Sequence, residues 1–334
     1  MRLTSFLAVS TASLAIAAPA PKQERAASPF QFFGINESGP EFGETNLPGT
    51  LGTDYVWPNV STFSTFINQG MNTFRVNVLM ERLTESTMDA SLNTAYLSDL
   101  KDTVSNITSQ GAYAMIVPHN YGRFNSKIIT DVSGFQKWWK QLATEFSSNE
   151  KVIFDINNEF HDMDQSMVVQ LNQAGINGIR AAGASSQYIT VEGNAYTGAW
   201  SWVSSGNGGT MGNLTDPKSK LIYQMHQYLD SDSSGTSATC VSSTVGQERL
   251  EAATQWLKAN GKKGLIGEFA GGNNDVCKTA VKGMLNYMKQ NSDVWMGALW
   301  WAAGPWWGDS YIFNLEPKDG ICFSSYMTEL TQFC

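Results

Sequence analysis

Short apolar runs recur along the chain, separated by longer segments whose apolar positions repeat with helical spacing. In order, the runs cover Gln31–Asn36, Thr73–Val78, Ala112–His119, Val152–Asn158, Tyr188–Gly193, Leu221–Tyr228, Gly264–Ala270 and Trp295–Trp301. Each is a handful of residues rich in Ile, Val, Phe or Tyr, as parallel strands buried on both faces should be. Helix-like stretches lie at Val60–Gln69, Thr94–Ser109, Phe135–Phe146, Met167–Ala182, Gly246–Asn260, Val276–Gln290 and Ser324–Gln332. Gly70, Gly111, Gly183 and Gly261 stand where four of them should stop. Eight strands alternating with helices is the count of a (β/α)8 barrel, so the expected fold class is α/β, a single TIM barrel. Gly and Asn dominate the connection from Gly193 to Leu221, and any helix there must be short.

The N-terminus breaks this pattern. Met1-Arg2 supplies a short positive region, and Phe6 to Ala18 is apolar and ends in small residues, which reads as a secretory signal peptide over residues 1–18. The run is shorter than the roughly 20 residues that span a bilayer, and Pro19 and Pro21 follow it, so no membrane anchor is expected. Residues 19–25, with Lys22-Gln23-Glu24-Arg25, read as a short pro-segment, which leaves 26–334 as one catalytic domain. Neither end carries a Ser/Thr/Pro-rich linker to a cysteine-rich carbohydrate-binding module. The expected product is a secreted, extracellular protein, read as a monomer.

Net charge is -8 and only 16% of residues are charged, which argues against a nucleic-acid partner and suits a neutral substrate. Aromatic residues make up 12%, with 11 Trp; buried and site-lining rings are what sugar binding uses, and a large core by itself accounts for about half of them. The four cysteines allow three pairings; Cys240 with Cys277 and Cys322 with Cys334 are favoured, the latter tying back the C-terminal tail. No C-x-x-C or Cys/His spacing suggests zinc, and neither a metal nor a cofactor is expected. Sequons at Asn59, Asn106 and Asn213 are expected glycan sites, whereas Asn36 falls at the end of a core strand without room for one.

In such barrels the active site lies at the C-terminal ends of the strands, so the polar residues that close each run carry the information. They are Arg75 and Asn77, His119-Asn120, Asn158-Glu159, Glu192, His226 and Tyr228, Glu268, and Trp300-Trp301. Two of these are glutamates pushed to the end of strands that should otherwise be apolar. Glycoside hydrolysis needs such a pair, one carboxyl held protonated to donate to the leaving oxygen and one ionised to attack or to activate water. The pieces Thr73-Phe74-Arg75-Val76, Pro118-His119-Asn120-Tyr121, Asn157-Asn158-Glu159, His226-Gln227-Tyr228, Gly267-Glu268-Phe269 and Leu299-Trp300-Trp301 follow in order on successive strands. Over nearly the whole mature chain the sequence resembles glycoside hydrolase family 5, most closely its fungal secreted endo-β-1,4-glucanases.

That resemblance implies a retaining hydrolase of β-1,4-glucan, acting on internal bonds of cellulose and mixed-linkage β-glucan. Glu159 becomes the acid/base and Glu268 the nucleophile. Asn158 binds the sugar 2-hydroxyl, and Arg75 and Tyr228 orient Glu268 and keep it ionised. His119 and His226 line the same subsite, and Trp301 is the stacking platform, with Trp300 the alternative because alternation turns only one inward. Taken alone, Arg75 is an ordinary buried ion-pair partner and each histidine an ordinary core residue; the constellation is what changes the reading. Glu192 and Asp155 read as structural carboxylates and His161 as a loop residue. Trp200, Trp202, Trp306 and Trp307 fall in loops over the strand ends, and Trp200 and Trp306 are the further candidates for sugar contact.

Overall fold

The computed structural model describes residues 28–334; the expected signal peptide and pro-segment lie outside the described residues. Ten strands follow in chain order: β1 (Phe32–Glu37), β2 (Thr73–Val78), β3 (Tyr113–Pro118), β4 (Arg123–Phe124), β5 (Lys127–Ile128), β6 (Val152–Asp155), β7 (Ile189–Glu192), β8 (Leu221–His226), β9 (Gly264–Phe269) and β10 (Trp295–Ala303). All but β4 and β5 are parallel neighbours that close into a barrel, in the order β1-β10-β9-β8-β7-β6-β3-β2. The chain is therefore a (β/α)8 barrel, as the strand and helix periodicities require. The hairpin β4–β5 is an ornament on the loop after β3 that the apolar pattern does not announce.

Alternation along each strand sorts side chains between the barrel interior and the helical shell. On β2, Phe74, Val76 and Val78 join the core between strands and helices, while Arg75 and Asn77 turn inward. Phe32, Met115, Ile153, Ile222, Leu265 and Leu299, from six different strands, pack together as a separate apolar plug inside the barrel. One layer nearer the strand ends the interior turns polar, with Asn36, Arg75, Asp155 and Gln224, all fully buried.

The helices begin where short polar side chains can cap them. Asn59, Asn93, Asp131, Asp164 and Asn274 each accept a hydrogen bond from a first-turn backbone N–H. Thr94–Ser109 forms as the periodicity predicts. The stretch read as one helix over Gly246–Asn260 is two, Val245–Glu248 and Glu251–Ala259, broken at Arg249–Leu250, where Arg249 donates to the carbonyl of Tyr228 at 2.7 Å. Between β7 and β8 only a four-residue helix, Asn207–Thr210, and 3-10 turns form. Among the described residues no helix is long and apolar enough to cross a membrane.

Cys240 and Cys277 form a disulfide that ties the loop after β8 to the helix Asp275–Gln290. The expected Cys322–Cys334 bridge is absent and that pairing is corrected. Cys322 precedes the helix Phe323–Leu330 and Cys334 follows its 3-10 extension Thr331–Phe333. A helix of that length separates its ends by roughly 18 Å, far beyond the Cα spacing of a disulfide. The Cys322 sulfur is instead buried 3.3 Å from the Ile312 carbonyl. Alkylation of the denatured, unreduced protein will therefore label Cys322 and leave Cys240 and Cys277 unlabelled, read by peptide mass; an unlabelled Cys322 would contradict this packing.

Candidate active site

Strand ends converge on Arg75, whose side chain is wholly buried. Its guanidinium donates to Asp155 at 2.9 Å, Glu192 at 3.0 Å and Glu268 at 2.7 Å, and to the side-chain oxygens of Asn36 at 2.9 Å and Asn158 at 2.7 Å. A buried guanidinium is tolerable only when its donors are met by acceptors and its charge by carboxylates, and here both conditions hold. Gln224 bridges Asp155 and Glu192 from below. Gly267 makes room for it, because a Cβ there would lie 2.4 Å from the Gln224 amide carbon.

Strict alternation from inward-facing Leu265 would turn Glu268 towards the helices. A register shift between β8 and β9, with His226 paired to Glu268 where Met225 pairs to Ile266, re-aims it into the mouth. There its second oxygen accepts from the Tyr228 hydroxyl at 2.7 Å. Glu159 follows β6 in a left-handed conformation, φ 51°, with its backbone N–H held by Glu192 at 2.7 Å. Its carboxyl meets His226 Nδ1 at 2.7 Å. One oxygen of Glu159, one of Glu268 and a ring nitrogen of His226 all lie within 4.8 Å of one another.

The two carboxyls differ in surroundings. Burial pushes Glu159 well above the ordinary carboxylate range, the charge of Glu268 adds to this, and Arg75 opposes it. Burial also raises Glu268, but the Arg75 charge and hydrogen bonds from Tyr228 and Arg75 pull it back. Burial holds His119 and His226 well below their ordinary value, with Arg75 adding to the shift, so both are neutral.

His119 lies within hydrogen-bond distance of Asn77 at 3.1 Å, of the Tyr121 hydroxyl at 2.9 Å and of the Asn158 amide at 3.4 Å. Trp301 lies stacked against it, ring centres 5.4 Å apart. Trp300 turns outward, fully buried, and donates its indole N–H to Phe313, which settles the choice between the two rings. Two adjoining hollows share Tyr121 and His161. One, about 510 Å³, is lined by Glu41, Phe42, His119, Trp301 and Trp307. The other, about 710 Å³, is lined by Glu159, His226, Tyr196, Trp200 and Asp232.

Trp200 is half exposed and lies on the Arg249 guanidinium. Trp306 stacks on Phe42 at the rim, whereas Trp202 is fully buried against Tyr223 and Trp256 and faces no cleft. Sequence reasoning passed over Glu41 and Tyr196, which lie in loops with no periodicity to flag them, and quoted Tyr121 within a motif without giving it a role. It also set Glu192 aside, although the alternation Ile189-Thr190-Val191-Glu192 places that carboxyl inward.

With this geometry established, comparison with known proteins is decisive. Residues 26–304 match the model of the cellulase family, glycosyl hydrolase family 5. The chain belongs to glycoside hydrolase family 5. Family 5 relatives include a probable endo-beta-1,4-glucanase B of Aspergillus oryzae, 57% identical over 100% of this chain and 99% of that one. The endo-beta-1,4-glucanase B of Emericella nidulans is 54% identical over 100% and 99%. The structure of XacCel5A in complex with cellopentaose superposes with a TM-score of 0.88, at 39% identity over 92% of this chain and 100% of that one. An endo-beta-1,4-glucanase from Xanthomonas axonopodis pv. citri gives 0.86, at 39% identity over 91% and 99%.

Glu41, almost wholly buried beside this family 5 cleft, has its carboxyl pushed up to about 7 by burial, against hydrogen bonds from Ser38 and Gly39. The folded chain keeps this proton to about pH 7, whereas an unfolded carboxyl near 4.5 releases it earlier. Its contribution to stability is complete below the lower value and is lost as pH rises through the upper one. Glu41→Gln will therefore flatten the fall in melting temperature between about pH 4.5 and pH 7; an unchanged slope would exclude Glu41 as its source.

Proposed function

We propose that this family 5 enzyme is an endo-β-1,4-glucanase that cleaves cellulose and mixed-linkage β-glucan with retention of configuration, using Glu159 as acid/base and Glu268 as nucleophile. The observation that carries this reading is the separation of the pair. The nearest oxygens of the two carboxyls lie within 4.8 Å of each other, which supports the roughly 5 Å spacing of retaining enzymes over the roughly 6.5–9.5 Å between the carboxyls of inverting ones.

The environments of the two carboxyls support these roles. Glu159, with the stronger upward push, keeps its proton and donates it to the leaving glycosidic oxygen. Glu268, held by Arg75 and Tyr228, attacks the anomeric carbon to form a glycosyl-enzyme. Glu159, now ionised, then takes a proton from water as that water attacks, and both carboxyls return to their starting states. Asn158, fixed by Arg75 through its amide oxygen, presents its N–H₂ to the sugar 2-hydroxyl, a contact that tightens in the oxocarbenium-like transition state. Trp301 stacks beneath the sugar, and His119 and His226 line that subsite. Trp200 and Trp306 extend the platform along the cleft. The endo-glucanase names of the relatives and the cellopentaose bound to XacCel5A support a β-1,4-glucan substrate.

Secretion is part of the same proposal. Asn59, Asn106 and Asn213 are exposed and carry the glycans. Asn59 caps a helix through its side-chain oxygen, so a glycan on its nitrogen leaves the cap in place. Asn36 is fully buried and takes none.

On cello-oligosaccharides, anomer-resolved NMR will show the β-anomer of the new reducing end first; an initial α-anomer would end the retaining reading. Glu159→Gln will lower kcat on barley β-glucan by about 10²–10⁴-fold, and mannan will be a poor substrate for the unaltered enzyme. Azide added to Glu268→Ala will yield an α-glycosyl azide, and its absence would remove Glu268 from the nucleophile role. The profile of kcat/KM with pH will be a bell, its acid limb set by ionisation of Glu268 and its alkaline limb by loss of the Glu159 proton; activity independent of pH on either side would contradict the assignment.

A further inference from the structure

We propose that the mouth of the barrel is also a binding site for a divalent transition-metal ion, Zn²⁺ or Cu²⁺, ligated by Glu159, His226 and Glu268, and that such an ion inhibits the enzyme by competing with the glucan. The inference rests on the proposed function of these residues but asks something separate of them.

The ligand atoms are already gathered. One oxygen from each glutamate and one imidazole nitrogen lie within 4.8 Å of one another, a donor set of the kind zinc and copper accept. Ligands around a tetrahedral ion with bonds of about 2.1 Å stand about 3.4 Å apart. His226 Nδ1 and Glu268 Oε2 stand 3.5 Å apart as they are. The 2.7 Å contact between His226 Nδ1 and Glu159 must open by less than about 1 Å, with its bridging proton leaving to solvent, and the Glu159 and Glu268 oxygens, within 4.8 Å of each other, must close by up to about 1.4 Å. Glu159 is the partner free to move, since its side chain keeps 15% exposure whereas Glu268 keeps 4% and is pinned by Arg75.

The surroundings favour a cation in two ways. His226 Nε2 is buried without a hydrogen-bond partner and faces Glu192 Oε1 at 3.7 Å. A ring proton on Nε2 leaves the Nδ1 lone pair for the metal, with the Glu192 carboxylate behind the ring beyond hydrogen-bond distance. The ion pairs point the same way, because three carboxyl groups, Asp155, Glu192 and Glu268, meet one guanidinium. Arg75 takes Glu268 Oε1, on the far side from the oxygen nearest His226, so the guanidinium does not occupy the ion's place. The fourth position opens into the 710 Å³ hollow, where water completes the coordination and where substrate must enter.

The test measures hydrolysis of barley β-glucan by the full enzyme in a non-coordinating buffer with added Zn²⁺. Apparent KM rises with Zn²⁺ while kcat holds, and a chelator restores it. Cu²⁺ acts at equal or lower concentration, whereas Mg²⁺ and Ca²⁺, which demand more oxygen ligands, do not inhibit. By calorimetry one Zn²⁺ binds and is displaced by cellobiose, and Glu159→Gln and His226→Phe each weaken it by about 10-fold or more while melting as the parent does. Inhibition that lowers kcat alone, equal inhibition by Mg²⁺, or folded variants with unchanged Zn²⁺ affinity would overturn the site. If both variants misfold, failure of Zn²⁺ and cellobiose to exclude each other on the parent protein overturns it. An enzyme that cleaves glucan but ignores Zn²⁺ defeats this inference alone, whereas one inert without metal defeats the proposed function.

Discussion

One buried guanidinium organises the mouth of this barrel. Arg75 gives its donors to three carboxylates and two asparagines drawn from the ends of four other strands. An isolated charge at that depth would be prohibitively costly, and so would the carboxylates without it, so the cluster stands or falls as a unit. Its imbalance matters as much as its cohesion. A single positive charge cannot keep every nearby carboxyl ionised, and burial raises Glu159 and Glu192 well above the ordinary carboxylate range. Glu159 makes no hydrogen bond to Arg75 and is pushed well above the ordinary range, while Glu268, bonded directly, is pushed less. The proposed division of labour between two chemically identical side chains rests on which of them reaches the guanidinium.

Backbone irregularity then delivers those side chains to one place. A regular strand β9 would bury Glu268 among the helices, and the register shift against β8 turns it into the cleft. Glu159 needs a left-handed backbone that a non-glycine residue adopts only when its neighbours insist, and Glu192 supplies that insistence by accepting its N–H. Glu192 therefore serves twice, as a counter-charge for Arg75 and as the anchor of the turn. Such departures from ideal geometry, gathered at the C-terminal ends of the strands, mark where the scaffold gives up regularity for function.

Much of this was legible in the sequence because burial imposes period. Doubly buried strands must be short apolar runs and covering helices must be amphipathic, so the barrel and most element positions follow from pattern alone, down to Thr73–Val78 and Thr94–Ser109. The polar residues that interrupt those runs at their ends could be named for the same reason. Where no period operates, the reading failed or stayed open. Glu41, Tyr121 and Tyr196 lie in loops, and the pairing of Cys322 with Cys334 looked natural until a helix was found holding them apart.

The sequence by itself determined the fold, the order of the polar strand ends and the kind of chemistry they can perform, because these depend on hydrophobic spacing and residue type. The tertiary structure alone decided which of Trp300 and Trp301 faces the cleft, that Glu192 lies under the site, and how near Glu159 and Glu268 approach. Those facts depend on strand register and barrel closure, which bring together residues more than a hundred positions apart, and no local pattern encodes a distance across a barrel.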